Sequence, residues 1–187
     1  MTSKRKIFEI GGIAAGVILI AFGIAAIVMG FNGRTEVRDS LARENIVGTP
    51  DSTIPGQKVD TGSEAKAFAD VMRAHTLEIT GGQTYAEMGR FLDEDGNPTN
   101  DEAAAAVGDN GQPVENGLRQ VWVTETALTT ALNMSYMAEQ LALFGIVVGF
   151  ALLLSGIGFL VLALGGALRH REATAVASGA PARPLTT

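Results

Sequence analysis

Two uninterrupted apolar runs, Ile10–Phe31 and Leu141–Leu168, constrain this chain more than anything else in it, because neither carries a charged residue. Both are too long for the strands or short helices of a water-soluble core. In hydrocarbon a spanning backbone must satisfy its own N–H and C=O groups, so each run has to be a helix. About 20 apolar residues at a rise of about 1.5 Å cross a layer roughly 30 Å thick. The expected fold is therefore an all-α membrane protein. Two transmembrane helices, residues 10–31 and 141–168, form a hairpin, with a mainly helical exported domain, residues 32–140, inserted between them.

Charge divides along the same boundaries. Residues 32–140 hold 8 Lys and Arg against 18 Asp and Glu, net −10; the remainder holds 6 against 2, net +4, which together give the chain's −6. Lys4, Arg5 and Lys6 precede the first run, and Arg169 and Arg171 follow the second. Basic flanks mark the cytoplasmic side of short segments. The expectation is a multi-pass plasma-membrane protein in contact with membrane lipid, both termini cytoplasmic: a basic N-terminus at 1–9 and a disordered tail at 169–187, rich in Ala, Pro, Ser and Thr. The first run is read as a retained anchor, since its 22 apolar positions exceed a secretory h-region of roughly 7–15 and no Ala-x-Ala site follows.

Without cysteine the exported domain has no disulfide and must hold together by packing, caps or partners. Its acidity argues against nucleic acid, which is bound by an excess of Lys and Arg. Within the domain, Gly48–Gly62 with Pro50 and Pro55 reads as a linker (48–62). Thr61 and Glu64 have the spacing of a capping box opening a helix over 63–80, which Gly81 and Gly82 terminate. Residues 85–116 are turn-rich, with Asp95-Gly96-Asn97-Pro98 and Asn110-Gly111-Gln112-Pro113 as paired turn signals. Either a short helix or a hairpin-like excursion fits between them. Asn116 is an N-cap candidate for a helix over 117–140 that leads into the membrane, although four threonines between 124 and 130 leave Arg119–Val123 open to a strand.

Small residues recur on one stripe of each apolar run: Gly12, Gly16 and Gly23 in the first, Gly145, Gly149 and Gly156 in the second. Such stripes let helix backbones approach in lipid. They fit packing of the two spans on each other as well as oligomerisation.

Candidate metal chemistry is sparse. Asp93, Asp95 and Asp101 alternate as calcium ligands do, but a calcium loop opened at Asp93 puts Pro98 at the sharp-turn glycine and Ala104 at the bidentate Glu. His75 and Glu78 share a helix face at i,i+3, which supplies two ligands and no site. No nucleophile elbow, phosphate loop or His-Glu-x-x-His is present. No cofactor is expected.

Four stretches carry a resemblance: Lys4–Gly16 (KRKIFEIGGIAAG), Val37–Leu41 with Ile46–Gly48, Thr84–Met88 (TYAEM), and Trp122–Met137 (WVTETALTTALNMSYM). They resemble a family of small actinobacterial membrane proteins with the same two-span layout, often labelled aromatic ring-opening dioxygenase. The label implies two His and a carboxylate around a non-haem iron. Here the two histidines, His75 and His170, fall in segments assigned to opposite sides of the membrane.

The expectation is accordingly a non-enzymatic integral membrane protein whose exported domain binds a membrane-protein partner or mediates homo-oligomerisation. Trp122, Tyr136 and Met137 are candidate contacts, since aromatic residues and Met are enriched at interface cores; a buried role for Trp122 fits equally. The alternative is an extracytoplasmic solute or cation sensor. A third reading, following the family label, is an oxygenase subunit.

Overall fold

A computed structural model describes residues 2–165, with side chains from residue 6 onward. It is mostly helical. In chain order come α1 (Thr2–Arg43), α2 (Gly62–Ile79), β1 (Phe91–Leu92), β2 (Pro98–Thr99), a 3-10 turn (Glu102–Ala104) and α3 (Gly117–Leu164). α1 and α3 are both long and apolar enough to cross a membrane. Their apolar side chains point outward: Phe22, Met29, Phe144 and Leu154 are all about two-thirds or more exposed, which suits helices solvated by lipid better than core helices of a soluble protein. Lys6 is exposed; the side chains of Lys4 and Arg5, and all of Arg169, His170, Arg171 and the remaining tail, lie outside the described residues.

The described residues divide into two compact units, one formed by residues 2–24 with 150–165 and the other by 25–149. In the first, α1 and α3 meet through glycine. A Cβ placed on Gly156 would stand 2.7 Å from the Gly16 carbonyl oxygen, and one placed on Gly16 would stand 2.8 Å from Leu160 Cγ. The obstacle at Gly156 is backbone, which cannot swing aside as a side-chain tip can. Gly23 is buried as well and Gly12 half-buried; in the second unit Gly149 is buried and Gly145 half-buried, with a Cβ there 3.9 Å from the Ala26 carbonyl oxygen.

The second unit is held at one carboxylate. Glu139 on α3, buried, accepts from Arg34 Nε at 2.8 Å and Arg38 Nε at 2.9 Å on α1, and from the backbone N–H of Gly62, the first residue of α2, at 2.6 Å. All three helices therefore converge on Glu139. Gly62 has to be glycine, since a Cβ there would lie 2.8 Å from the Tyr136 Cα and 2.9 Å from Glu139 Oε2. Beside this anchor an apolar cluster of Leu41, Val59, Ala65, Ala69 and Leu132 draws on the same three helices, with Val37, Ile46, Ile54, Phe68 and Met72 packed around it.

Local chemistry fixes the helix ends. α1 stops where Asn45 adopts φ 52°, a left-handed conformation that Asn tolerates. α2 opens with a capping box between Thr61 and Glu64 and closes in a Schellman motif, Gly82 N–H to Leu77 C=O at 2.7 Å and Gly81 N–H to Glu78 C=O at 3.2 Å. Asn116 caps α3, its Oδ1 accepting from Leu118 N–H while its Nδ2 donates to Gly89 C=O. Arg119–Val123 is helical, not a strand. Residues 48–62 are an ordered excursion: Gly48 N–H donates to Gln57 C=O, Val47 bridges Lys58, and Val59 is fully buried. The turn-rich stretch contains both a two-stranded antiparallel hairpin, Phe91 opposite Thr99, and a short helical turn.

Three outcomes test this packing. Gly156→Val should lower stability in detergent by about 1–3 kcal/mol through overpacking against the Gly16 carbonyl, read as a fall in the thermal midpoint. Glu139→Ala should cost about 2–4 kcal/mol, less than the roughly 3–5 of a fully buried pair because Arg34 and Arg38 are 38% and 41% exposed. Burial pushes the Glu139 carboxyl up, but hydrogen bonds from Arg34, Gly62 and Arg38 outweigh it and leave the group below its ordinary 4.5. A depressed carboxylate contributes stability that is present above its unfolded value and lost as pH falls through its folded one. Acid titration of the wild type should therefore show destabilisation setting in below about pH 4.5, with a shallower slope in Glu139→Gln.

Candidate functional site

α3 carries the candidate surfaces of the second unit, and helical geometry distributes them over different faces. On one face, Val123, Ala127, Thr130, Met134, Met137, Leu141 and Phe144 follow alternating steps of four and three residues, and every one of them is exposed. Val123, Met134 and Met137 are 47%, 59% and 57% exposed although they precede the apolar run. A stripe at heptad spacing is what one helix presents to another.

Trp122 lies off this stripe, buried, its Nε1 donating to Gln83 C=O at 2.9 Å and its ring beneath the Arg73 guanidinium at 5.1 Å. Its place is in the core of the fold. Tyr136 is half-buried, its Cα pressed toward Gly62. Of the three candidate contacts only Met137 stands exposed on the heptad face. One turn below Trp122, Arg119 donates to Met88 C=O and stacks at 3.9 Å over Tyr85, which pins the turn-rich segment against α3.

A second face of α3 looks toward α2. Here Glu125 is 3% exposed; its Oε2 accepts from the Thr126 hydroxyl at 3.3 Å, while Oε1 is buried and meets no donor among the described residues. Glu125 helps line a cavity of about 360 Å³ with Met72, Thr76, Gln120, Val121 and Leu128. A larger one of about 510 Å³, walled by Leu41, Ile46, Phe68, Ala131 and Leu132 with Ser40, Glu44 and Ser135, shares Met72 and Leu128 with it. Leaving a buried carboxylate oxygen without a partner is costly, on the order of a few kcal/mol, so this atom asks for an explanation. Sequence reasoning passed over Glu125. Its one available signal was an acid at i+3 from Trp122 in an otherwise uncharged stretch from Val121 to Ala138.

The acidic turn does structural work. Asp93 Oδ1 accepts from the N–H groups of Asp95 at 3.0 Å and Asn97 at 2.7 Å, and Gly96 takes φ 81° to close the hairpin. Those bonds, the Asn97 N–H first, hold the Asp93 carboxyl below its usual range. Asp101 Oδ1 caps the 3-10 turn at Ala103 N–H. His75 pairs with Asp51 of the 48–62 excursion, not with Glu78, and the His75 bond is the leading cause of a lowered Asp51 carboxyl. Among the described residues no three His, Asp or Glu side chains come together as a metal site would require.

No protein-family model, curated protein or solved structure matches this chain.

Since the Asp93 carboxylate is engaged by its own turn, the thermal midpoint of the protein should be the same in millimolar calcium and in EDTA. Asp93→Ala should lower it equally in both; a calcium-dependent rise that Asp93→Ala abolishes would contradict this assignment.

Proposed function

We propose that this chain is a non-catalytic, multi-pass plasma-membrane protein. Its two apolar helical segments form an antiparallel hairpin with both termini in the cytoplasm. The domain between them stands outside and associates laterally with a second helix, from another copy of the chain or from a membrane-protein partner. The observation that carries this reading is the exposed heptad stripe on α3, which continues from Val123 through Met137 into the apolar run at Leu141 and Phe144. Exposed Met and Val at that spacing would lose water and gain packing on meeting another helix, at about 25 cal/mol per Å² of apolar area buried. Continuity of the stripe with the apolar run supports association within one membrane. The glycine faces support the hairpin, because Gly16 and Gly156 already fill each other's space within a single chain.

A solute- or cation-sensing role draws on one different observation, the unpartnered Glu125 oxygen beside its cavity.

Because the chain has no cysteine, single substitutions report cleanly. A photo-crosslinker attached at Met137→Cys or Met134→Cys in native membranes should capture a second protein, of this chain's own mass or of a partner's. The same reagent at Lys66→Cys on α2 should capture none. Absence of product at 134 and 137, or equal product at 66, would contradict the proposal.

A further inference from the structure

The two cavities that share Met72 and Leu128 line a groove beside α2 and α3, with the buried Glu125 carboxylate in one and, in the other, largely apolar walls together with the exposed Glu44 and the half-buried Ser40 and Ser135. From this we infer that the groove binds a single-chain amphiphile with an ammonium headgroup, the head at Glu125 and the alkyl tail running along α3 toward Ser135.

Three observations converge on that class of ligand. The Glu125 Oε1 atom lacks a donor, and no Lys or Arg pairs with Glu125 among the described residues, so a cationic group rich in N–H would complete it. Beyond Glu125 the walls are mostly apolar, with Met72, Leu128, Phe68, Ala131 and Leu132, while the one further carboxylate there, Glu44, is exposed to solvent; thioether and branched alkyl side chains accept a flexible hydrocarbon chain readily. Finally, Glu125 to Ser135 is ten residues of α3, about 15 Å of helix at 1.5 Å per residue, which matches an alkyl chain of medium length. Ser135 stands six residues before Leu141, where the apolar run begins, so the tail end of the groove opens near the proposed bilayer surface, from which such an amphiphile would enter. In this last respect the inference rests on the membrane reading above.

The probe is dodecylammonium, added to the full-length protein in phosphatidylcholine nanodiscs. Trp122, the chain's one tryptophan and one helical turn from Glu125, serves as the fluorescent reporter. Its emission should shift and saturate at one amphiphile per chain. Glu125→Gln should raise the half-saturating mole fraction at least tenfold for dodecylammonium and leave that for dodecanol unchanged. Ethylammonium, the head without the tail, should bind at least tenfold more weakly than dodecylammonium. Ala131→Phe, which fills the apolar end and leaves the carboxylate, should weaken dodecylammonium binding by a similar factor. Equal half-saturation in wild type and Glu125→Gln, equal binding of dodecyl sulfate, or no saturable shift would overturn the inference. Should Glu125→Gln lose its cooperative melting transition, Ala131→Phe decides, unchanged binding there overturning it. Membrane insertion is scored separately by resistance of the chain to alkaline extraction, so failure of the membrane reading and failure of the site give different results.

Discussion

A buried carboxylate on α3 receiving two arginines from α1 and the first N–H of α2 is the constraint on which the second unit depends. Each helix alone would gain little from its neighbours at this level, since Glu139 would be buried without partners and the α2 N-terminus would leave its Gly62 donor unmet. Together the groups satisfy one another, and they do so in charge-assisted bonds of 2.6–2.9 Å. The capping box at Thr61 and Glu64 satisfies further α2 donors, so the helix start is set by side chains of two different elements. The adjoining cluster of Leu41, Ala65, Ala69 and Leu132 then buries apolar surface in a geometry the polar anchor has already restricted. Hydrophobic burial supplies energy without direction, and here direction comes from Glu139.

With that anchor in place, α3 presents chemically different faces to different surroundings. Trp122, Thr129, Leu132 and Glu139 are buried; Val123, Met134 and Met137 are exposed; Glu125 lies between α2 and α3 with an unmet oxygen. One helix can thus both complete a fold and leave two surfaces uncommitted, because 3.6 residues per turn separates side chains two apart by more than a right angle. The exposed stripe is apolar and regular, which suits a helix as partner. The groove is mixed, with a single buried charge, and this suits a small amphiphile.

How far the sequence alone carries the account differs by feature. Long charge-free runs made the two apolar helices legible, because in hydrocarbon no other secondary structure satisfies the backbone. The start of α2 was legible in Thr61 and Glu64, and its end in Gly81 and Gly82, since caps are read from a few adjacent residues. Long-range pairings were not. Nothing near Arg34 or Arg38 in the chain points to Glu139, a hundred residues on, and Asp51 gives no sign that it meets His75. Residues 48–62 illustrate the same limit: their Pro, Gly and Ser content suggested a loose linker, whereas Val59 is buried and the backbone is tied by bonds whose partners lie across the loop. In sequence the Trp122–Met137 stretch reads as part of a helix, yet its division into a buried tryptophan, a buried glutamate with one unmet oxygen and an exposed methionine stripe requires the neighbours that only the fold supplies.

The central claim is the proposal that residues 32–140, the domain anchored at Glu139, stand outside a membrane crossed by both long helices. It is tested most directly by labelling intact cells with a membrane-impermeant thiol reagent, using single substitutions in the cysteine-free chain. Ser63→Cys, at the exposed start of α2, should label fully in intact cells. Ser3→Cys, ahead of the first apolar run, should label only after the membrane is opened. Labelling of Ser3→Cys in intact cells, or protection of Ser63→Cys until lysis, would contradict the account.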